Sequence, residues 1–168
     1  VELFERAAYY GVFIVITLYL SRILGFNDIE SATIAGVFSA CLYLLPTFAG
    51  ALADKIGFRN SMLLAFSLLT CGYLGLAVYP TWLESAGLVQ YSDITRFSGL
   101  LESNLRYGIL PIMALIVCGG AFIKSVISGT VAKETTPETR AKGFSIFYAM
   151  VNIGAFSGKT IVKPLREA

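Results

Sequence analysis

The sequence contains no histidine. Histidine is the usual pH-dependent switch and the most frequent general base in proteins, so a histidine-based metal centre or catalytic dyad is excluded. The cysteines Cys41, Cys71 and Cys118 stand alone in apolar stretches, and an odd count without C-x-x-C spacing predicts neither a disulfide framework nor a zinc site. With no nucleophile–base set, metal cluster or phosphate loop in view, we expect no enzyme activity and no cofactor.

Charge is scarce as well. Charged residues make up 14% of the chain and hydrophobic residues 56%, whereas soluble domains carry roughly a quarter charged residues. This deficit indicates a membrane protein whose surroundings are a lipid bilayer. A net charge of +2 without a basic cluster predicts no nucleic-acid partner.

Five apolar stretches are long enough to cross a bilayer, which takes about 20 apolar residues. We predict an all-α membrane protein with spans at residues 4–24, 31–53, 61–79, 107–132 and 141–162. The third span is expected to end at Pro80. The mixed-polarity stretch that follows holds Trp82, Tyr91 and Tyr107, which favour the membrane–water interface, and predicts an external loop that is either a short surface helix or an irregular connector.

The basic residues of the connections predict the orientation. Lys55 and Arg59 lie in the very short link between the second and third spans, and a further basic group, Lys133, Arg140 and Lys142, lies in the link between the fourth and fifth. Lys and Arg concentrate in cytoplasmic loops, so the amino terminus is predicted to be inside.

Two acids and an arginine head the first span. On a helix, residues three and four apart share a face, so Glu2, Glu5, Arg6, Tyr9 and Phe13 form one stripe. Either this stripe faces a bundle interior or watery cavity, where ionisable residues must be paired, or the helix begins later and the charges lie in water.

Lys124 follows the apolar run 109–123 in the fourth span. It lies too far from the end of the span to reach water easily, so the economical arrangement is an interior pair with a glutamate of the first span; the alternative is a lysine that reaches the headgroups. In the fifth span, Ser145, Tyr148 and Asn152 form a polar ladder, which suits either a ligand or contact between helices.

The link between the second and third spans resembles a family signature. The pattern G-x-L-A-D-[RK]-x-G-x-[RK] is typical of the major facilitator superfamily, and it is matched by Gly50, Leu52, Ala53, Asp54, Lys55, Gly57 and Arg59. The resemblance implies a conformational gating motif on the cytoplasmic side. The alternative is a generic hairpin turn whose charges are solvated.

The remaining motifs resemble the proton-dependent oligopeptide transporter family, a branch of that superfamily. Its helix-one motif E-x-x-E-R-x-x-Y-Y-G is matched by Glu2, Glu5, Arg6, Tyr9, Tyr10 and Gly11, its helix-four lysine by Lys124, and its helix-five motif by Phe147, Tyr148, Asn152 and Gly154, with Val151 in place of isoleucine. Phe13 is a departure, because many members have a basic residue there.

The resemblance implies roles for these residues. Glu2, Glu5, Arg6 and Lys124 would serve proton coupling. The substrate site would be lined by Tyr9, Tyr10, Lys124, Tyr148 and Asn152.

On this resemblance, residues 1–168 form the N-terminal helix bundle of a twelve-helix fold whose C-terminal bundle is absent, and that missing half is an expected partner. The implied function is proton-coupled symport of di- and tripeptides, or similar small solutes, across the cell (inner) membrane, with protons as the coupling ion. Alternatives are another major facilitator, such as a drug–proton antiporter or a carrier of a non-peptide solute, and a transport-inactive relative.

Overall fold

The structure, a computed structural model, describes residues 2–88 and 104–167. In these residues it contains five long helices and no strand, so the predicted all-α bundle is confirmed. The helices are α1 (Glu2–Leu18), α2 (Asp28–Ile56), α3 (Phe58–Ser85), α4 (Ile109–Glu134) and α5 (Arg140–Glu167). Most of the predicted external loop lies outside the described residues, and its end is a short 3₁₀ helix, Asn104–Gly108.

Four helical segments of the described chain are long and apolar enough to cross a membrane: Glu2–Ile23, Asp28–Ile56, Phe58–Ser85 and Asn104–Glu134. The fifth predicted span lies in α5, which has sufficient length at 28 residues but is the most polar of the five helices. Many large apolar side chains point outward, among them Leu44, Phe48 and Phe156. Such a surface requires contact with lipid or with more protein.

The turns of the chain follow from local sequence. After α1, a π-helical turn (Tyr19–Ile23) leads into the G-F-N-D connection, where Asn27 and Glu30 form a reciprocal capping box at the start of α2. A single residue, Gly57, joins α2 to α3 with φ of 84°, a conformation that L side chains rarely adopt. The predicted tight hairpin therefore depends on this glycine.

The third helix continues past the point where the sequence predicted its end. Pro80 has no N–H, so the carbonyl of Leu76 one turn earlier loses its helical donor. The hydroxyl of Tyr19 donates a hydrogen bond to that carbonyl at 2.9 Å. A side chain from a neighbouring segment thus replaces the missing donor, and α3 extends to Ser85.

The helices pack in two groups, α2 and α3 on α4, and α5 on α1. The fourth helix, the most buried, packs against α2 and α3, whereas α5 packs chiefly against α1. Between α1 and α5 the approach is very close, because Gly154 and Gly158 lie directly against the backbone carbonyls of Leu3 and Ala7. Membrane helices associate largely through such van der Waals contact between small residues, and here the contact holds the charged face of α1 in place.

We predict that Gly158→Ala destabilises the protein by about 1–3 kcal/mol, because the added Cβ would overlap the backbone of Ala7. Gly36→Ala is the matched control, since a Cβ at Gly36 meets nothing within 4 Å. The control should be neutral or stabilising by about 1 kcal/mol from helix propensity. Thermal unfolding of the full-length protein in detergent measures both, and a Gly158→Ala variant as stable as the control would contradict this packing.

Candidate functional site

A buried charge cluster occupies the first turns of α1. Glu2, Glu5 and Arg6 are each only 7% exposed. The Nε atom of Arg6 lies 2.5 Å from Oε2 of Glu5 and 3.3 Å from Oε1 of Glu2. Buried charges are tolerated when they are paired, so of the two predicted positions for this stripe, the structure has the one that faces the interior.

One guanidinium serves two carboxylates in this cluster. The second oxygen of Glu2, Oε2, is buried and accepts no hydrogen bond from any described residue. On the other side, Oε1 of Glu5 faces α4, where a Cβ at Gly120 would lie 3.8 Å from it. The cluster therefore has more acceptor capacity than the arginine satisfies and lies against the fourth helix.

The fourth helix brings Lys124 into the same region, but not as the sequence predicted. No carboxylate of the described residues lies within ion-pair distance of Lys124. Its Nζ instead stands over the ring of Tyr43 on α2, 4.3 Å from the ring centroid. The lysine is within electrostatic range of Glu2, Glu5 and Arg6. The expected direct pair is absent, and Arg6 is the cation that lies at ion-pair distance from both acids.

Tyr43 is a residue that the sequence reasoning missed. Its side chain is 63% exposed, and its ring offers a cation–π face to Lys124. The available signal was the requirement that a lysine within a span has a partner, together with a tyrosine near the middle of the second span. Next to it, Ser125 Oγ bonds the Pro46 carbonyl at 2.5 Å, which joins α4 to α2 beside this contact.

Aromatic side chains extend the cluster along α1. Tyr9 is buried below the Arg6 guanidinium, 5.3 Å from its ring centroid, and stacks on Phe13 at 5.6 Å. Tyr10 meets Tyr9 edge to face at 5.1 Å, and Lys159 of α5 stands 5.0 Å over its ring. The two predicted tyrosines are thus adjacent to the charges, and Phe13 fills apolar space beside them.

The predicted residues of α5 lie elsewhere on the described chain. Tyr148 is 60% exposed, and Asn152 is exposed on the same side of the helix. The side that meets α1 is instead formed around Gly154 and Gly158. The structure does not bring the polar ladder of α5 into contact with the charge cluster.

The residues of the predicted gating motif lie at the α2–α3 turn. Asp54, Lys55 and Arg59 are exposed and form no ion pair among the residues that the structure describes. Gly50 lies against Ser125 of α4. A cavity of about 470 Å³ opens between this turn and the end of α4, and its walls include Gly50, Asp54, Gly57, Ser125, Gly129 and Lys133.

Metal chemistry finds no support in the described residues, which hold no group of three or more histidine, cysteine or acidic side chains able to bind an ion. The three cysteines are free; Cys41 is half-buried, and Cys71 and Cys118 are exposed. What the site offers chemically is buried ion pairs and a carboxylate oxygen that has no hydrogen-bond donor among the described residues.

Comparison with known proteins places this arrangement in a family. A family model described as Major Facilitator Superfamily matches residues 2–162. The chain is similar to the dipeptide and tripeptide permease A of Salmonella typhi and of Salmonella typhimurium, with 31% identity over 163 residues in each case. The permease of the same name from Citrobacter koseri is 31% identical over 158 residues.

Each alignment covers 93% of this chain and 27% of the relative, so the chain spans about a quarter of the length of these relatives. No solved structure matches the chain. The resemblance that the sequence motifs indicated is confirmed: the chain belongs to the major facilitator superfamily and is similar to part of the dipeptide and tripeptide permeases.

Proposed function

We propose that the full-length protein containing this chain is a proton-coupled symporter of small peptides in the cell (inner) membrane. The observation that supports this most is the buried group of two carboxylates and one guanidinium on α1, with the Lys124 ammonium in electrostatic range. The permeases that resemble this chain are named for dipeptides and tripeptides.

Charge balance links the proton to the peptide in this proposal. Glu2, Glu5, Arg6 and Lys124 formally sum to zero charge when all are ionised. A peptide carboxylate that enters this buried region adds one negative charge, which is costly in a low dielectric. Protonation of one glutamate restores neutrality, so the two ligands favour each other's binding.

The proton also frees a cation for the substrate. A proton on a carboxylate oxygen of Glu5 removes the negative charge of the acceptor, so the ion pair with Arg6 becomes a weaker hydrogen bond from a cation to a neutral acid. The guanidinium then becomes available to the peptide carboxylate. The low-dielectric surroundings make this switch large, because the same pair in water would exchange for solvent at little cost.

The contact that holds the Lys124 ammonium is weak enough for the lysine to change its partner. A cation–π contact is worth about 0.5–2 kcal/mol, and the ring that holds the ammonium belongs to an exposed side chain, Tyr43. A peptide carboxylate can therefore replace the ring as the partner of the lysine. In this proposal Tyr9 and Tyr10 form the wall beside the cations.

The rest of the protein completes the site. Tyr148 and Asn152 are exposed on α5 and so are open to substrate or to the missing half. The exposed charges at the α2–α3 turn, Asp54, Lys55 and Arg59, would gate the cycle as two helix bundles rock around a central site in the lipid bilayer. Protons are the coupling ion, and no other cofactor is proposed.

We predict that Glu5→Gln lowers gradient-driven dipeptide accumulation by about tenfold or more, because the amide cannot take up the coupling proton. Counterflow exchange of dipeptide without a gradient should remain near the wild-type rate. Uptake into proteoliposomes holding the full-length protein, with an acidic exterior, measures both. Glu138→Gln is the control, since Glu138 is exposed in the α4–α5 connection. Undiminished accumulation by Glu5→Gln would refute the coupling role.

We predict that Lys124→Ala weakens the preference for a free peptide carboxylate. Wild-type protein should take up a dipeptide better than its carboxy-terminal amide by about tenfold, and the variant should show a clearly smaller ratio, because only Arg6 remains to bind the carboxylate. Lys133→Ala is the control, since Lys133 is exposed at the end of α4. Competition with labelled dipeptide measures the ratio, and a preserved preference in Lys124→Ala would exclude this contact.

A further inference from the structure

Tyr73 on α3 has a buried hydroxyl group with no hydrogen-bond partner among the described residues. Tyrosine hydroxyls usually have a partner when they are buried, because an unpaired polar group in an apolar interior costs free energy. Two other tyrosines of this bundle have hydrogen-bond partners even though they are less buried at the hydroxyl: Tyr19 donates to the Leu76 carbonyl and Tyr79 to the Leu105 carbonyl. The absence of an acceptor for the Tyr73 hydroxyl among the described residues therefore needs an explanation.

The position of Tyr73 limits the acceptors it can serve. It lies one turn from Leu69 and from Leu76 on the buried side of α3 and packs against the apolar core. Its hydroxyl is within electrostatic range of Glu5, Arg6 and Tyr9. Of these three, the carboxylate of Glu5 is the strongest acceptor.

Glu5 also has capacity to accept. Its Oε2 receives the Arg6 bond, whereas its Oε1 accepts no hydrogen bond from the described residues. In the proposed cycle Arg6 leaves Glu5 for the peptide carboxylate, and the glutamate must later lose its proton with the guanidinium engaged elsewhere. At that stage a second donor would stabilise the ionised carboxylate.

We infer that Tyr73 is a positioning residue for Glu5, whose phenol O–H is the donor that the carboxylate takes up, directly or through one water, when Arg6 is released. This inference rests on the proposed proton-coupled function. It assigns the phenol no role in binding the peptide. In the present state Arg6 donates to Oε2 of the carboxylate, and the Tyr73 hydroxyl has no hydrogen-bond partner among the described residues.

The expected pH effect has a definite sign. The charged and titratable groups around Glu5 in the described residues are Glu2, Arg6 and Tyr10 on its own helix, Lys124 on α4 and Tyr73 on α3. Tyr43 of α2 contacts Lys124, and Lys159 of α5 contacts Tyr10. A hydrogen bond donated to the ionised carboxylate favours loss of its proton. Without the phenol, the proton is retained to higher pH.

The test compares Tyr73→Phe with wild type in the full-length protein. The variant should shift the pH of half-maximal dipeptide accumulation upward by about one unit. Its thermal midpoint should be unchanged or higher, because the hydroxyl that is removed has no partner among the described residues in the resting state. Tyr19→Phe is the matched control: it removes a satisfied bond, so its thermal midpoint should fall and its pH profile should stay with wild type.

The possible results of this comparison distinguish failure of the inference about Tyr73 from failure of the proposed function. Superimposable pH profiles of wild type and Tyr73→Phe, with normal accumulation by both, overturn the inference alone. A Tyr73→Phe variant that loses thermal stability as Tyr19→Phe does, without a pH shift, also overturns it, because the hydroxyl would then be a structural donor. Wild-type protein that accumulates no dipeptide overturns the proposed function, and with it this inference.

Discussion

The shared guanidinium of Arg6 is the interaction on which the site depends. Two carboxylates lie buried on α1, and without the arginine each would be an uncompensated charge in an apolar bundle. The arginine satisfies them unequally, closely for Glu5 and more loosely for Glu2. Because of this inequality, a buried carboxylate oxygen of Glu2 has no hydrogen-bond donor among the described residues. Such an oxygen can accept a proton or a hydrogen bond from a new donor.

The surrounding helices bury the charge cluster and pack closely against it. On one side, α5 packs on the backbone of α1 through glycines; on the other, Gly120 of α4 lies next to the Glu5 carboxylate and closely against Leu42 of α2. Small residues at these contacts let the helix axes approach closely, which is the main source of helix association in lipid. The same contacts limit where the charged side chains can move.

Weak partners surround this strongly paired centre. Lys124 contacts the ring of Tyr43 instead of a carboxylate, and the Tyr73 hydroxyl has no hydrogen-bond partner in the part of the chain that the structure describes. Separation of a buried ion pair costs much free energy. A cation–π contact is weaker, and a hydroxyl without a partner has no hydrogen bond to lose, so both groups can take a new partner at little cost. A site with a firm ion pair and loosely held neighbours is suited to a cycle in which partners change.

Local sequence determined the helices, the tight turn at Gly57 and the shared face of Glu2, Glu5 and Arg6, because helical periodicity and turn chemistry act over a few residues. Only the tertiary structure decided that Lys124 meets Tyr43, that Tyr19 replaces the donor missing at Pro80, and that the ladder of α5 faces outward. Those outcomes depend on the rotation and depth of each helix against its neighbours, which packing between distant segments sets and no local pattern encodes.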